Sequence, residues 1–308
     1  MNVTTDWCDL YNYHGVIVGD GFESQFAPQR FAILKTDPDG IQNEKYFFNT
    51  HVENCIENSE EMAKVMRMSN AKGLRYTFGW RFIQWSKGDT LSFPEDRRRS
   101  NQYFTDNGLT ILDCLNQFPI NVDFPKTPEE EAEYLNAIGI IVKNMPEDTL
   151  FEIWNEPWVN LMTQGVDNPD ADTFARFTKI TAEKIKEVRP DAKVGIYSAH
   201  GMDRKDTFSS FQTGMSSEHK PWENADAFAF HPYRRDAYEL SNMATEVIPK
   251  WVNEFKKYGK DDIELWYTEA GYSLIESAIG KEEIKAAFNT RKYLYLQGLD
   301  LVDLYSTY

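Results

Sequence analysis

Short apolar runs alternate with longer amphipathic stretches along most of the chain, beginning near residue 46. An apolar run of this length predicts a buried strand, and apolar residues three and four apart predict a helix. The predicted strands are Tyr46–Val52, Leu74–Phe78, Thr110–Leu115, Thr149–Ile153, Lys193–Tyr197, Ala225–Phe230, Glu264–Tyr267 and Leu301–Tyr305. Eight strands about 36 residues apart, with helices between most of them, predict an α/β fold, the (β/α)8 TIM barrel, over residues 46–308.

Helix boundaries in the sequence support this alternation. Thr127 followed by Pro128 is typical of a helix start, with acidic residues in the first turn. A second helix is expected to begin at Ser59 and to end near Gly73. A third ends where Arg189 meets Pro190, and Pro249 starts or kinks a fourth.

The two ends of the chain do not follow the regular alternation of strands and helices that predicts the barrel. Residues 1–45 contain two predicted strands, over Tyr13–Val18 and Arg30–Leu34. This short N-terminal β extension could cap the bottom of the barrel or belong to a preceding β-domain. The residues stop at Tyr308, on the eighth strand, which indicates a barrel truncated before its closing helix and any flanking domain.

Composition excludes several classes of protein. The chain has 308 residues and a net charge of -16, which disfavours a nucleic-acid partner. No apolar run approaches the ~20 residues that cross a bilayer, and the amino terminus carries no secretion signal. Cys8, Cys55 and Cys114 lack the spacing of a disulfide framework or a zinc site. The compartment stays open, with a secreted or periplasmic bacterial protein favoured over a cytoplasmic one.

Two carboxylates follow predicted strands. The fourth strand runs into Trp154-Asn155-Glu156-Pro157, and the seventh runs into Thr268-Glu269-Ala270-Gly271. The carboxyl ends of barrel strands form the mouth where catalytic side chains lie, and strands four and seven face each other across it. Two facing carboxylates are what glycoside hydrolysis requires.

These motifs resemble the retaining glycoside hydrolases of clan A. The segments Asn49–His51, Leu74–Trp80 and Phe230–Tyr233 are most similar to family 39 and its relatives. The resemblance implies that Glu156 is the general acid/base and Glu269 the nucleophile. It also implies that Asn155 binds the sugar 2-hydroxyl, and that Arg75 and Tyr233 hold Glu269. The other side chains expected to contact substrate are His51, Trp158, His231, Arg234 and Tyr305.

One position departs from the clan's pattern. The clan usually has a tryptophan at the end of strand eight, whereas this chain offers only Tyr305 and Tyr308 there. On the sixth strand, His231 and Tyr233 are two residues apart and are expected to share one face.

The protonation states of Glu156 and Glu269 can also be predicted. Two carboxylates about 5 Å apart repel by about 3 kcal/mol at an effective dielectric near 20, enough to raise one pKa by roughly two units. Because Arg75 is expected beside Glu269, we expect Glu269 to be ionised and Glu156 to hold the proton.

Simpler interpretations compete for other residues. Trp80, Trp85 and Trp158 could stack on sugar rings or pack on helices. The basic run Arg97–Arg99 is expected to be a solvated helix face. His51, Glu53 and Asp123 lack metal-ligand spacing, so no metal is expected.

The sequence therefore predicts a retaining glycoside hydrolase that acts on an oligo- or polysaccharide without a cofactor. The alternatives are an endo-β-glycanase of another clan A family, such as 5 or 30, and a non-catalytic carbohydrate-binding barrel. Arg234 and Arg235 follow strand six and are expected to bind an anionic glycan or to pair with nearby acids.

Overall fold

The computed structural model describes residues 9–13, 16–19, 22–25, 29–33, 43–158, 169–233, 241–271 and 282–307. The first four strands form two antiparallel pairs: β1 (Asp9–Tyr13) with β4 (Gln29–Ile33), and β2 (Val16–Gly19) with β3 (Phe22–Gln25). The sequence predicted two strands here. β2 and β3 flank Asp20-Gly21, a dipeptide favoured in hairpin turns.

Eight further strands close into a parallel barrel, which confirms the predicted fold. Neighbouring strands follow one another in chain order, and the last strand pairs with the first through Tyr305 and Tyr46. The barrel strands are β5 (Asn43–Asn49), β6 (Ala71–Thr77), β7 (Thr110–Leu115), β8 (Leu150–Ile153), β9 (Val194–His200), β10 (Ala227–His231), β11 (Glu264–Ala270) and β12 (Leu304–Thr307).

Helices follow the first seven of these strands. They are α1 (Ser59–Met68), α2 (Glu95–Asp106), α3 (Pro128–Asn144), α4 (Ala171–Val188), α5 (Lys205–Met215), α6 (Ile248–Lys256) and α7 (Glu282–Gly298). The predicted start of α3 is confirmed, since the Thr127 hydroxyl accepts from the Glu130 amide and the Glu130 side chain accepts from the Thr127 amide. The helix α4 ends at Val188, directly before Arg189-Pro190.

Two local predictions were wrong. The helix α1 ends at Met68, and Gly73 instead lies within β6, where a Cβ atom would come within 2.0 Å of the Thr110 carbonyl oxygen. Of the basic run on α2, Arg97 is buried and lies over the rings of Tyr76 and Phe78, so only Arg98 and Arg99 form a solvated face.

The barrel positions the site through the alternation of side chains along each strand. Phe47, Leu112, Trp266 and Leu304 form a buried cluster inside the barrel, while the larger core lies between strands and helices. Successive side chains face opposite sides, so residues two apart on a strand face the same side. A lipid bilayer could not be crossed by any helix that the structure describes, since none is both long and apolar enough.

Candidate active site

Glu156 and Glu269 meet at the carboxyl end of the barrel. Glu269 lies on β11, and Glu156 lies three residues beyond the end of β8. One carboxylate oxygen of Glu156 and one of Glu269 lie within 4.8 Å of each other. Both side chains are largely buried, with 7% and 12% of their surfaces exposed. The structure thus brings together the two carboxylates that the sequence placed on opposite strands.

The backbone around Glu156 adopts a conformation that side chains other than glycine rarely take. Trp154 and Glu156 have φ angles of 67° and 49°, and Ser198 on the next strand has a φ angle of 40°. The Glu156 amide donates to the Ser198 carbonyl oxygen at 3.2 Å, which fixes this turn against β9. Such strained positions persist where surrounding contacts hold them, and they concentrate at functional sites.

Arg75 connects three acidic or amide groups in the barrel interior. Its Nε donates to Glu152 at 2.6 Å, Nη1 to Glu269 at 2.8 Å, and Nη2 to the Asn155 side-chain oxygen at 2.8 Å. Burial alone would lower the pKa of Arg75, but the nearby carboxylates of Glu152 and Glu269 raise it well above its ordinary value. The guanidinium therefore stays charged and fixes the position of Glu269.

A second donor reaches the other oxygen of Glu269. The Tyr233 hydroxyl donates to Oε2 at 3.0 Å, while Arg75 occupies Oε1. Among the described residues, each carboxylate oxygen thus receives one hydrogen bond, and both bonds stabilise the negative charge. Asn155, predicted to contact the sugar, is buried next to this pair with its oxygen held by Arg75.

Glu152 is a third carboxylate in the site, which sequence reasoning missed. It is fully buried on β8 and accepts from Arg75, from the Ser198 hydroxyl at 2.6 Å and from the Thr268 hydroxyl at 2.5 Å. Burial would raise the pKa of Glu152, but the charge of Arg75 and the contacts with His231 lower it to about 2. An acidic residue inside the apolar run Leu150–Ile153 was the signal that could have identified it.

His231 lies between these carboxylates. Its Nδ1 is 2.6 Å from Glu156 Oε1 and 3.7 Å from Glu269 Oε2, and its Nε2 is 3.8 Å from Glu152 Oε1. Burial would lower the pKa of His231, but the charge of Glu269 and the contacts with Glu152 and Glu156 raise it to about 9.

The pKa of Glu156 therefore shifts in the direction opposite to the one expected from the sequence. Burial raises its pKa, but the contacts with His200 and His231 outweigh burial and lower the pKa well below the ordinary range. Nδ1 of His200, on β9, lies 3.3 Å from Glu156 Oε1. Repulsion between the two carboxylates alone, without the two histidines, led to the opposite expectation. The lowered pKa of Glu156 and the raised pKa of His231 favour a proton on the imidazole over one on the carboxylate.

Near the barrel mouth, Asn49 is buried and His51 is exposed. Asn49, which sequence reasoning did not single out, is buried on β5 and donates to the Thr268 carbonyl oxygen at 3.2 Å. His51 is exposed after the same strand, with Nδ1 2.9 Å from Glu53 Oε1. Arg234 and Arg235, predicted after strand six, lie outside the described residues, as does Tyr308.

The prediction that Tyr305 contacts the substrate does not fit its position. The ring is fully buried and packs against Tyr46, Tyr267 and Tyr293, the last of which is on α7. Leu304 belongs to the cluster inside the barrel, so the next residue, Tyr305, faces the helical layer.

The tryptophans divide between the core and the surface. Trp80 is buried and donates to Gln84, and the ring of Trp158 packs against Phe174 and Tyr197 in the layer between barrel and helices. Trp85 is 61% exposed, with the Arg81 guanidinium 4.5 Å from its ring centre. Only Trp85, of these three, presents a largely exposed ring.

Glu156, His231 and Glu269 also offer one nitrogen and two oxygens within 4.8 Å, a spacing at which such groups can surround a cation. The 2.6 Å contact between Nδ1 and Oε1 is a hydrogen-bond distance with a proton between the two atoms. We therefore interpret the group as a hydrogen-bonded network. Asp123, considered beside His51 and Glu53 in the sequence, pairs instead with Lys126 at 2.7 Å.

Comparison with solved structures finds this fold in glycoside hydrolases. A family 39 glycoside hydrolase from the gut symbiont Bacteroides cellulosilyticus WH2 has a TM-score of 0.69 at 17% identity, over 98% of this chain and 63% of that one. A monomeric β-xylosidase from Caulobacter crescentus CB15 has a TM-score of 0.63 at 14% identity, over 86% and 59%. An endo-1,4-β-mannanase from Rhizomucor miehei has a TM-score of 0.60 at 14% identity, over 86% and 85%.

These comparisons confirm the resemblance to glycoside hydrolases at the level of the fold. The chain spans less than two thirds of the length of the first two structures and most of the third. No protein-family model matches the sequence, and no curated protein sequence matches it.

Proposed function

We propose that this protein is a glycoside hydrolase that cleaves O-glycosidic bonds with retention of configuration. The observation that carries the proposal is the approach of Glu156 and Glu269 to within 4.8 Å at the mouth of the barrel. Retaining enzymes place their carboxyl groups about 5–5.5 Å apart, whereas inverting enzymes need about 6.5–9.5 Å to admit a water molecule. The observed separation supports attack by a carboxylate on the sugar.

The surroundings of each carboxylate support distinct roles. Glu269 accepts one hydrogen bond at each oxygen, from Arg75 and Tyr233, which orients it as the nucleophile. Glu156 contacts His200 and His231, and its 2.6 Å contact with Nδ1 of His231 lets a proton pass between the two side chains, which suits a general acid/base. Attack by Glu269 would form a glycosyl ester while Glu156 protonates the leaving oxygen, and water would then hydrolyse the ester. None of these steps requires a cofactor.

The substrate class proposed is an oligo- or polysaccharide. The solved structures with this fold include both a β-xylosidase and an endo-mannanase, so the test must cover small glycosides and polymers. Fold alone does not determine specificity, because the loops above the strands contact the sugar. The alternative of a non-catalytic carbohydrate-binding barrel predicts glycan binding without turnover.

The experiment is a panel of aryl glycosides and polysaccharides assayed with the wild-type protein and with Glu269→Ala. We expect the wild type to cleave at least one substrate and to release the anomer with the substrate's configuration, observed by NMR before mutarotation. Release of the opposite anomer would contradict the retaining mechanism. Binding without cleavage across the panel would favour the non-catalytic alternative.

A further inference from the structure

Two hydroxyl groups link the buried carboxylate of Glu152 to His231. The Ser198 hydroxyl lies 2.6 Å from Glu152 Oε1 and 3.0 Å from His231 Nε2. The Thr268 hydroxyl lies 2.5 Å from the same carboxylate oxygen and 3.1 Å from the same ring nitrogen. Both hydroxyls therefore contact the same two atoms.

Counting hydrogens assigns the donor in each contact. An ionised carboxylate only accepts hydrogen bonds, and each hydroxyl has a single hydrogen to donate. Because two oxygens at 2.5–2.6 Å without a hydrogen between them would repel, both hydroxyls donate to Glu152. Toward His231 they can then only accept, so Nε2 must carry a hydrogen.

A hydrogen on Nε2 of His231 limits the hydrogen bonds that Nδ1 can form. With Nε2 protonated, the 2.6 Å contact between Nδ1 and Glu156 Oε1 holds one proton. Either the imidazolium donates to an ionised Glu156, or a neutral ring accepts from a protonated Glu156. The raised pKa of His231 and the lowered pKa of Glu156 favour the first state in the free protein.

We propose that Glu152 is a positioning residue which, through the hydroxyls of Ser198 and Thr268, fixes the tautomer of His231 so that His231 and Glu156 share a single transferable proton. The inference deepens the proposed function, on which its chemical role rests, while the tautomer itself can be measured without substrate. A buried carboxylate that orients a histidine through hydrogen bonds has the same effect in other acid–base sites.

Charged groups on four strands surround the shared proton. Glu152, Glu156 and Glu269 lie within 3.8 Å of the His231 ring nitrogens, Arg75 pairs with Glu152 and Glu269, and Nδ1 of His200 reaches Glu156. Tyr233 donates to Glu269 from the segment after β10. Three carboxylates thus face one arginine and one imidazolium, with His200 at the exposed edge.

The shared proton balances both steps of the proposed reaction. In the first step the pair gives its proton to the leaving oxygen while Glu269 forms the ester bond. The ester removes a negative charge 3.7 Å from Nδ1, which weakens the attraction of the pair for a proton. In the second step water attacks the ester, its proton passes to the pair, and Glu269 regains its charge.

The direct test is long-range nitrogen–proton NMR of protein with labelled histidines. The chain has five histidines, and comparison with His231→Gln assigns the ring of interest. We expect Nε2 of His231 to stay protonated across the titration and Nδ1 to lose its proton as pH rises through about 9. A ring that keeps hydrogen on Nδ1 and loses it from Nε2 would overturn the proposal.

Substitution of the hydroxyls tests the role of Glu152 without removing its ion pair with Arg75. In the double variant Ser198→Ala, Thr268→Val we expect a mixture of tautomers, because Nε2 loses its acceptors. We also expect the alkaline limb of kcat/KM to move down by about one pH unit, a tenfold loss of rate in that limb. Glu152→Gln should move the alkaline limb further in the same direction. If Glu152→Gln does not fold, the double variant Ser198→Ala, Thr268→Val still tests the positioning role of Glu152.

Thr178→Val is the matched control, since Thr178 is fully buried on α4 outside the site. We expect its tautomers and pH profile to equal those of the wild type. Unchanged tautomers in the double variant would overturn the positioning role of Glu152. If the wild type cleaved no glycoside, the proposed function would fail, while the NMR titration would still decide the tautomer.

Discussion

Nη1 of Arg75 donates to Oε1 of Glu269 at 2.8 Å, which joins the second and seventh strands of the barrel across its interior. The same guanidinium holds Glu152 and Asn155 on the fourth strand and the turn that follows it. One buried side chain therefore fixes the relative positions of groups from three separate segments, and its three contacts use different nitrogen atoms.

Arg75→Lys should be both inactive and less stable. A lysine has one ammonium group and cannot reproduce three contacts that diverge from a planar guanidinium. Breaking a buried ion pair typically costs about 3–5 kcal/mol, which urea unfolding would measure. Arg98→Lys is a suitable control, because Arg98 is exposed on α2 and should change stability by less than about 0.5 kcal/mol. Equal stability of both variants would contradict the structural role of Arg75.

Tyr233→Phe should lower turnover and leave the fold intact. The substitution removes one hydrogen bond to Glu269 and retains the ring. A hydrogen bond to a charged group contributes about 1.5–3 kcal/mol, which corresponds to a loss of roughly 10- to 150-fold in kcat/KM. Steady-state kinetics and thermal unfolding measure the two effects. A large fall in melting temperature with normal kinetics would indicate that Tyr233 is only a packing residue.

Substitution of the two carboxylates should give different defects. Glu269→Ala removes the nucleophile, and azide entering the space should restore cleavage with inverted configuration of the glycosyl azide. Glu156→Ala should retain activity on substrates with good leaving groups, since these need little acid assistance, and azide should yield a product of unchanged configuration. Wild-type activity in either variant would refute the role proposed for that residue.

The free energy of unfolding should be highest at intermediate pH and should fall toward both acidic and alkaline pH. Glu152 has its pKa lowered to about 2, so its contribution is present above its unfolded value near 4.3 and is lost as pH falls toward 2. His231 has its pKa raised to about 9, so its contribution is complete below about 6.5 and is lost as pH rises through 9.

Urea unfolding of the wild type and of His231→Gln from pH 4 to 10 measures the contribution of His231 to the loss of stability at alkaline pH. Buried Lys292 has its pKa lowered to about 7 and changes stability in the opposite direction over the same range, but it is common to both proteins. We expect the stability difference between the two proteins to narrow as pH rises from about 6.5 to 9. A constant difference would mean that His231 is not charged in the folded protein.

The sequence predicted the barrel because strand and helix periods repeat many times, so errors at single boundaries do not change the topology. The strand over Thr110–Leu115 matches its predicted bounds, while β5 begins at Asn43, three residues before its predicted start. Gly73 shows the limit of local signals. A glycine can end a helix or permit close packing of strands, and only the contact with Thr110 distinguishes the two.

The site was predicted in part, for a related reason. Glu156 follows the end of β8 and Glu269 lies near the end of β11, so topology alone brings them together. The protonation of Glu156 could not be predicted, because it depends on His200 and His231, which approach the carboxylate from two other strands. Glu152, Ser198 and Thr268 each look like an ordinary buried polar residue until the fold unites them.

Covalent trapping of the nucleophile tests the proposed mechanism most directly. A panel of activated 2-deoxy-2-fluoro glycosides, covering several sugars, would be incubated with the wild type, Glu156→Ala and Glu269→Ala, followed by intact and peptide mass spectrometry. We expect one glycosyl adduct on Glu269 in the wild type and none in Glu269→Ala. Cleavage of ordinary glycosides with no adduct from the matching fluoro-sugar, or an adduct on another residue, would contradict the role of Glu269 as nucleophile.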